Sequence, residues 1–202
     1  MKQQTVFIVD DDAPVRDSLA LLLNLKQLHT KTFASAEEFL AAYEHESPGC
    51  LLLDVRMPGM SGLELQSELA RRGITLPVIV ITAHGDVATT RTALKSGAFD
   101  FLEKPVDDEL LFDVIGNALD ADCNRRDEQA EMDAKRERLM RLTRREREVM
   151  ELLADGRHNR EIAETLGISP RTVEVYRARM MEKLQARNLA DLIRIILEIR
   201  AS

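Results

Sequence analysis

Short apolar runs recur through the first 120 residues of this sequence, and they constrain its fold more than any other feature. The four clearest runs cover residues 5–9, 50–53, 77–82 and 99–102. Continuous runs of this length, rich in β-branched residues, are typical of strands buried on both faces of a parallel sheet. The segment from Leu28 to Phe33 mixes polar and apolar residues, which predicts an outer strand.

Segments of helical periodicity separate these runs. They are predicted at residues 14–25, after a capping box of Ser35 and Glu38, and at 61–72, 86–96 and 107–119. Five strands alternating with five helices predict an α/β fold, with a doubly wound parallel sheet in a domain of residues 1–120. Such sheets bind their ligands at the carboxyl ends of the strands.

The remainder of the chain has no strand pattern. Residues 121–140 are almost all charged or small, which predicts a solvated helical linker, with a disordered charged tether as the alternative. Residues 141–202 predict an all-α domain of four helices. Its predicted helix starts are a capping box of Thr143 and Glu146, Asn159 as a cap, Ser169 before Pro170, and residue 188.

Composition excludes several classes of protein. The 202 residues contain two cysteines, Cys50 and Cys123, in no Cys-x-x-Cys pair, which argues against a disulfide framework and a structural zinc site. No apolar run approaches the roughly 18 residues of a membrane-spanning helix, and the N-terminus has no signal-peptide pattern. A reducing, cytoplasmic location without membrane contact is therefore expected.

The net charge of −7 is unevenly distributed along the chain. Residues 1–120 carry 10 basic and 19 acidic side chains, a net −9, whereas residues 141–202 carry 13 and 10, a net +3. This asymmetry favours two modules with different partners. Ordinary variation in surface charge is the alternative.

Acidic residues follow two of the predicted strands. Asp10, Asp11 and Asp12 come directly after the first strand, and Asp54 directly follows the third. Because adjacent parallel strands end at the same edge of a sheet, these carboxylates are expected to lie together, where like charges need a cation or a proton. Carboxylate oxygens suit a hard divalent ion, so the pattern predicts Mg²⁺ as the cofactor rather than zinc.

A hydroxyl and an amine complete this cluster, since Thr82 ends the fourth strand and Lys104 follows the fifth. Carboxylate, hydroxyl and ammonium groups around Mg²⁺ can handle a phosphoryl group, with one carboxylate attacking and the cations neutralising charge. Taken singly, an Asp or Thr after a strand is more typical of a turn or a helix cap. Their arrival at four strand ends in register favours the phosphoryl site.

Four motifs of residues 1–120 together resemble the receiver domain of two-component systems. They are Val-Asp-Asp at 9–11, Leu-Asp-Val-Arg-Met-Pro-Gly at 53–59, Ile-Thr-Ala-His at 81–84 and Glu-Lys-Pro at 103–105. The resemblance implies that Asp54 is the phosphoacceptor and that Asp11 and Asp54 bind Mg²⁺, together with the backbone carbonyl of Arg56. Asp10 would support the metal through water.

The same resemblance assigns roles to the remaining groups. Thr82 and Lys104 would contact the phosphoryl group, and Thr82 with Phe101 would form the switch pair, beside a cis peptide bond before Pro105. Phe101 stands where many receivers carry tyrosine, which keeps the packing ring and loses the hydroxyl. Cys50 is expected in the core.

Three motifs of the C-terminal region resemble the LuxR-type helix-turn-helix domain. They are Leu-Thr-Arg-Arg-Glu-Arg-Glu-Val at 142–149, Asn-Arg-Glu-Ile-Ala at 159–163 and Ile-Ser-Pro-Arg-Thr-Val-Glu-Val-Tyr-Arg at 168–177. With the receiver motifs, they make the whole chain similar to response regulators of the NarL/FixJ class, and to the FixJ type in particular.

One face of the helix after Ser169 is expected to meet DNA while the other packs in the core. Val173, Met180 and Leu184 are the predicted core residues. The candidates for phosphate contacts are Arg171, Thr172, Tyr176, Arg179 and Lys183. The candidates for base-edge contacts are Glu174, Val175, Arg177 and Ala178.

The resemblance implies a transcription factor switched by phosphorylation, not an enzyme. A histidine kinase would phosphorylate Asp54, the protein would form a homodimer, and two copies would bind two half-sites of double-stranded DNA. RNA polymerase is a further expected partner, with activation as the outcome. Candidate dimer surfaces are Val87, Leu94, Phe112 and residues 188–199, for which ordinary core packing is the alternative.

Two other functions are compatible with parts of the sequence. A phosphohydrolase with an aspartyl-phosphate intermediate would use similar groups, but Arg56 stands where its second catalytic Asp is expected and no P-loop is present. Alternatively, the receiver serves only as an interaction scaffold for a DNA binder that needs no phosphorylation. The complete set of receiver residues counts against this second alternative.

Overall fold

A computed structural model describes residues 3–44, 47–83 and 95–201 of the chain. The chain divides into two compact units, Met1–Arg126 and Asp127–Ser202. The elements that begin in the first unit are β1 (Thr5–Val9), α1 (Ala13–Leu25), β2 (His29–Phe33), α2 (Ala36–Ala42), β3 (Gly49–Asp54), α3 (Gly62–Arg71), β4 (Val78–Thr82), β5 (Asp100–Glu103) and α4 (Asp108–Met140).

The five strands form one parallel sheet in the order β2-β1-β3-β4-β5. In its register, Val9 lies opposite Phe33 and Leu53, and Asp54 lies opposite Ile81. The predicted parallel α/β fold is confirmed, and the mixed polar and apolar segment is the edge strand β2. The predicted helix at 86–96 lies largely outside the described residues.

Side chains alternate between two cores on opposite faces of the sheet. Phe7 of β1 belongs to one core, where its ring packs against Phe33, Phe39 and Tyr43 at centroid distances of 5.5–6.5 Å. The other core includes Cys50, which is fully buried, and burial raises the pKa of its thiol to about 12. Burial on both faces explains why the strands are continuous apolar runs.

The capping predictions hold in part. Ser35 accepts a hydrogen bond from the backbone of Glu38, but the Glu38 carboxylate accepts from Ala34 N–H at 2.7 Å, so the reciprocal capping box predicted there is wrong. The reciprocal box of Thr143 and Glu146 is confirmed. A glutamate carboxylate near a helix start can accept a hydrogen bond from either of two neighbouring backbone N–H groups, and the local backbone conformation determines which one.

Helix α4 has 33 residues, and residues 121–140 are helical throughout. Its Asp122 side chain is fully buried, accepts a hydrogen bond from Gly49 N–H at 3.0 Å and forms ion pairs with Arg125 and Arg126. Arg126 also donates to the carbonyl of Ser47 at 2.9 Å. These contacts attach residues 122–126 to the amino end of β3, within the first unit.

The second unit is helical. Its further elements are α5 (Arg144–Ala154), α6 (Asn159–Leu166), α7 (Pro170–Leu184) and α8 (Leu189–Ala201). The predicted core residues Val173, Met180 and Leu184 are buried, and they share one core with residues of α5, α6 and α8.

One prediction for this unit needs correction. The cap of α6 is His158 rather than Asn159, because the Glu161 carboxylate accepts the His158 N–H at 2.7 Å and the helix begins one residue earlier. In α8, Leu192 and Ile196 are buried, whereas Leu197 is 56% exposed. None of the helices that the structure describes has the length and apolar character needed to cross a membrane.

Candidate functional site

The carboxyl ends of four strands converge on one polar cluster in the first unit. Asp10 directly follows β1, Asp54 ends β3, Thr82 ends β4, and Lys104 directly follows β5. Asp10, Asp54 and Thr82 are buried, and Lys104 is half-buried. The spacing of the strands in the sheet therefore brings together side chains that lie up to 94 residues apart in the chain.

The ammonium group of Lys104 connects two carboxylates. Its Nζ donates to Oδ2 of Asp10 at 2.7 Å and to Oδ1 of Asp54 at 2.8 Å. Burial lowers the pKa of Lys104, but the hydrogen bonds to both carboxylates outweigh this effect and raise it above its ordinary value. Lys104 is therefore held as a cation.

The other oxygens of the two carboxylates are held by the backbone. Oδ1 of Asp10 accepts from Asp12 N–H at 2.9 Å, and Oδ2 of Asp54 accepts from Arg56 N–H at 2.6 Å. Each buried carboxylate thus has a backbone donor on one oxygen and the Lys104 ammonium on the other. These donors fix the two carboxylates in position.

The residues present fit a divalent cation. Two buried carboxylates and one ammonium leave a net charge of −1, which favours a further cation in this cluster. Mg²⁺ often binds through one or two carboxylates and keeps several waters, so such a site does not require three side-chain ligands. The described residues contain no group of three His, Cys, Asp or Glu side chains that could hold a metal ion. Asp11 and Arg56, the other predicted ligands, are exposed residues beside the cluster.

Asp12 has a different position from its two neighbours. It is exposed and is the N-cap of α1, where its carboxylate accepts from Val15 N–H at 3.4 Å. For this residue the ordinary role of a cap after a strand applies. It contributes to the cluster through its backbone N–H.

Sequence reasoning missed two residues that position the cluster. Arg16 donates from its guanidinium to the backbone carbonyl of Asp10 at 2.6 Å. A Cβ atom on Gly62 would lie 2.2 Å from the carbonyl oxygen of Asp54, so only glycine allows α3 to begin this close to β3. The available signals were a basic residue one turn into the helix after the acidic run, and a glycine directly after the cap Ser61.

The other predicted switch residues lie on β5 or just after it. Phe101 is half-buried and packs against the core that contains Val80, while Pro105 is exposed and follows a cis peptide bond. Phe112, a candidate dimer residue, packs partly against the other core, with the Lys26 ammonium 5.1 Å from its ring centre. The candidates Val87 and Leu94 lie outside the described residues.

The predicted DNA-contacting residues lie on α7. Ser169 caps this helix by accepting from Thr172 N–H at 3.1 Å. Most of the predicted contacts are exposed, namely Arg171, Glu174, Val175, Ala178 and Arg179, and the half-buried ones are Thr172, Tyr176 and Arg177. The helix thus presents a polar, basic face opposite its buried apolar residues.

Lys183 differs from the rest of this set. Its Nζ donates to Oε2 of Glu146 at 2.6 Å, and the Glu146 side chain is 3% exposed. Burial raises the pKa of Glu146, but hydrogen bonds from Lys183 and Thr143 lower it further, so the pKa is below its ordinary value. The pair joins the end of α7 to the start of α5.

Comparison with known proteins matches both units to families. Residues 6–116 match the response regulator receiver domain, and residues 140–196 match the bacterial regulatory proteins of the luxR family. The chain is 47% identical over 193 residues to the transcriptional regulatory protein FixJ of Azorhizobium caulinodans, covering 95% of this chain and 91% of that relative.

Two further relatives agree with these matches. The C4-dicarboxylate transport transcriptional regulatory protein DctR of Rhodobacter capsulatus is 45% identical over 193 residues, covering 95% of this chain and 98% of DctR. The solved structure of the response regulator StyR matches with a TM-score of 0.89 at 41% identity, over 97% of this chain and 99% of StyR. The chain therefore belongs to the response regulators that join a receiver domain to a LuxR-type DNA-binding domain.

Proposed function

We propose that Asp54 accepts a phosphoryl group from the phosphohistidine of a partner kinase, and that this modification promotes dimerisation and sequence-specific DNA binding. The observation that carries the proposal is the Lys104 ammonium, which bridges buried Asp10 and Asp54 at 2.7 and 2.8 Å. A carboxylate next to a fixed cation is suited to accept a phosphoryl group, because the cation neutralises charge that develops on the phosphoryl oxygens.

The side chains divide the transfer among them. A carboxylate oxygen of Asp54 forms the new P–O bond, while the P–N bond to the kinase histidine breaks and its electron pair stays on the imidazole nitrogen. Mg²⁺, held by Asp11, Asp54 and the Arg56 carbonyl, would supply additional neutralising charge when bound. Asp10 supports this site. Lys104 moves its hydrogen bond from the Asp54 carboxylate to an oxygen of the new phosphoryl group.

Conformational change would follow from the new phosphoryl oxygens. The Thr82 hydroxyl would donate to one of them, and Phe101 would move inward as Thr82 moves. Pro105 shapes the turn that holds Lys104. The surface of residues 86–118 would then change and favour a second copy of the receiver.

DNA recognition is assigned to the exposed face of α7. Arg171, Thr172, Tyr176 and Arg179 are proposed to hold phosphates, and the base-edge candidates are Glu174, Val175, Arg177 and Ala178. The net charge of +3 on residues 141–202 is modest, so tight binding is expected to need two copies on two half-sites. We place this activity in the cytoplasm, with transcriptional activation through RNA polymerase as its outcome.

The first test is phosphorylation by a small phosphodonor with Mg²⁺. Asp54→Asn should abolish the acid-labile label, because an amide cannot form the acyl phosphate. Full labelling of this variant would overturn the site assignment. Sustained release of phosphate from small esters would instead support a phosphohydrolase.

The second test is footprinting on genomic DNA fragments with and without phosphodonor. A symmetric footprint that appears or strengthens with phosphodonor is expected. Equal affinity in both states would contradict the switch and favour a regulator that binds DNA without phosphorylation.

A further inference from the structure

The loop that follows Asp54 carries the predicted third ligand of the cation, the backbone carbonyl of Arg56. Residues 55–61 of this loop are closed at their base by the hydrogen bond from Gly62 N–H to the carbonyl of Val55 at 3.0 Å. Near Asp54 the loop is held by the Arg56 N–H, which donates to the carboxylate. Both attachments lie next to β3, and the side chains of Met57 and Met60 pack in or against one core of the sheet.

A third attachment holds the tip from another element. Oε1 of Glu37, in the first turn of α2, accepts the backbone N–H of Met60 at 3.0 Å. The same oxygen lies close to Gly59, where an added Cβ would approach it to 3.0 Å. The backbone at Gly59 has a φ of +77°, so the chain turns sharply where the carboxylate meets it.

The neighbouring glutamate provides a natural comparison. Oε2 of Glu38 accepts from Ala34 N–H at 2.7 Å, four residues earlier in the chain. Glu38 therefore supports the start of its own helix, whereas Glu37 reaches a loop 23 residues away. Two adjacent carboxylates of the same type thus hold different parts of the domain.

We propose that Glu37 is a positioning residue for the cation site, acting through the Met60 N–H on the loop that carries Arg56. The inference rests on the proposed function, since it assumes that Mg²⁺ binds at Asp54 and the Arg56 carbonyl. Without this hydrogen bond the loop has more conformations, so the carbonyl is less often in place and Mg²⁺ binds more weakly. No reacting group is lost, and saturating Mg²⁺ restores the full phosphorylation rate.

The experiment measures Mg²⁺ affinity directly and through phosphorylation. Isothermal titration with MgCl₂ alone gives the dissociation constant of the full chain, and small-phosphodonor labelling gives the half-saturating Mg²⁺ concentration and the maximal rate. Glu37→Ala should raise both Mg²⁺ constants by about 3- to 10-fold, the effect of one lost hydrogen bond, with the maximal rate unchanged. Glu37→Gln, whose amide oxygen can still accept from Met60, should stay near the wild-type values.

The control is Glu38→Ala, which removes an equal charge from the same turn and should leave both Mg²⁺ constants near wild type. The proposal is overturned if Glu37→Ala leaves the constants unchanged. It is also overturned if Glu38→Ala weakens Mg²⁺ binding as much as Glu37→Ala does, because the effect would then be general to α2. Equal weakening in Glu37→Gln would overturn it as well, because the lost charge alone would then explain the effect. A wild-type chain that binds Mg²⁺ but takes no label refutes the proposed function and leaves the titration as a valid test of Glu37.

Discussion

Lys183 is predicted to stabilise the second unit rather than to contact DNA phosphates. Its ammonium lies 2.6 Å from a Glu146 oxygen and 3.4 Å from the carbonyl of Arg141. The variant Lys183→Met keeps most of the apolar stem but removes the charge. Glu146 then becomes a buried carboxylate without its cation.

The expected cost follows from the burial of the two partners. Breaking a buried ion pair by removing one partner costs about 3–5 kcal/mol. The Lys183 side chain is 34% exposed, so water screens part of the interaction, and the expected loss is about 2 kcal/mol. For a domain of this size, that loss lowers the melting temperature by about 8–16 °C.

Two assays separate stabilisation from phosphate contact. Calorimetry of the full chain should show the lowered transition in Lys183→Met, and Arg179→Met, which changes an exposed residue of the same helix, should melt as the wild type does. DNA affinity measured at increasing salt concentration, at a temperature below the melting transition, should show the larger effect in Arg179→Met. The slope of log affinity against log salt is negative, and each lost phosphate contact lowers its magnitude by about 0.9.

The magnitude of this salt slope is therefore expected to fall in Arg179→Met and to be unchanged in Lys183→Met. The reasoning is refuted if Lys183→Met melts like the wild type and lowers the magnitude of the salt slope. That result would place the ammonium on a phosphate. A double variant, Glu146→Gln with Lys183→Met, should be more stable than Lys183→Met alone, because it no longer buries an unpaired charge.

Three further predictions follow from buried groups. Gly62→Ala should slow labelling of the phosphoacceptor and lower stability by about 1–3 kcal/mol, since its Cβ would overlap a backbone oxygen, whereas Gly116→Ala, with open space around it, should not destabilise. Asp122→Asn should destabilise the first unit by about 2 kcal/mol in calorimetry, unlike exposed Asp120→Asn. Folding lowers the pKa of Glu146 from 4.5, so the ion pair of Glu146 with Lys183 contributes its full stability above pH 4.5. Melting temperatures measured at decreasing pH should show this contribution being lost below pH 4.5, as the pH falls through the lowered pKa. The Glu146→Gln variant should not show this loss.

Local sequence pattern was sufficient for most of the fold. A strand buried on both faces is apolar at every position, and a helix start needs an acceptor for its free N–H groups. The first rule located β1, β3 and β4, and the second located the starts of α2, α5 and α7. At the starts of α2 and α6, a glutamate carboxylate can accept from more than one nearby backbone N–H. The sequence pattern alone did not show that Glu38 accepts from Ala34 and that Glu161 accepts from His158.

The convergence of Asp10, Asp54 and Lys104 was predictable as well. Parallel strands place their carboxyl ends at one edge, so polar residues that directly follow them meet there in any sheet of this type. What the sequence did not contain was how the free oxygens are satisfied. The backbone donors of Asp12 and Arg56 depend on the exact turn of each loop, which residue type does not reveal.

The sequence by itself therefore determined the two folds, the family and the cluster at the strand ends, because each depends on local periodicity or on a general property of parallel sheets. Only the tertiary structure decided the partners of Glu37, Asp122 and Lys183, which lie 23, 73 and 37 residues away. A charged side chain on a helix has the same local pattern whether it faces water or a distant backbone. Packing of the elements alone selects which of these charges acquires a partner.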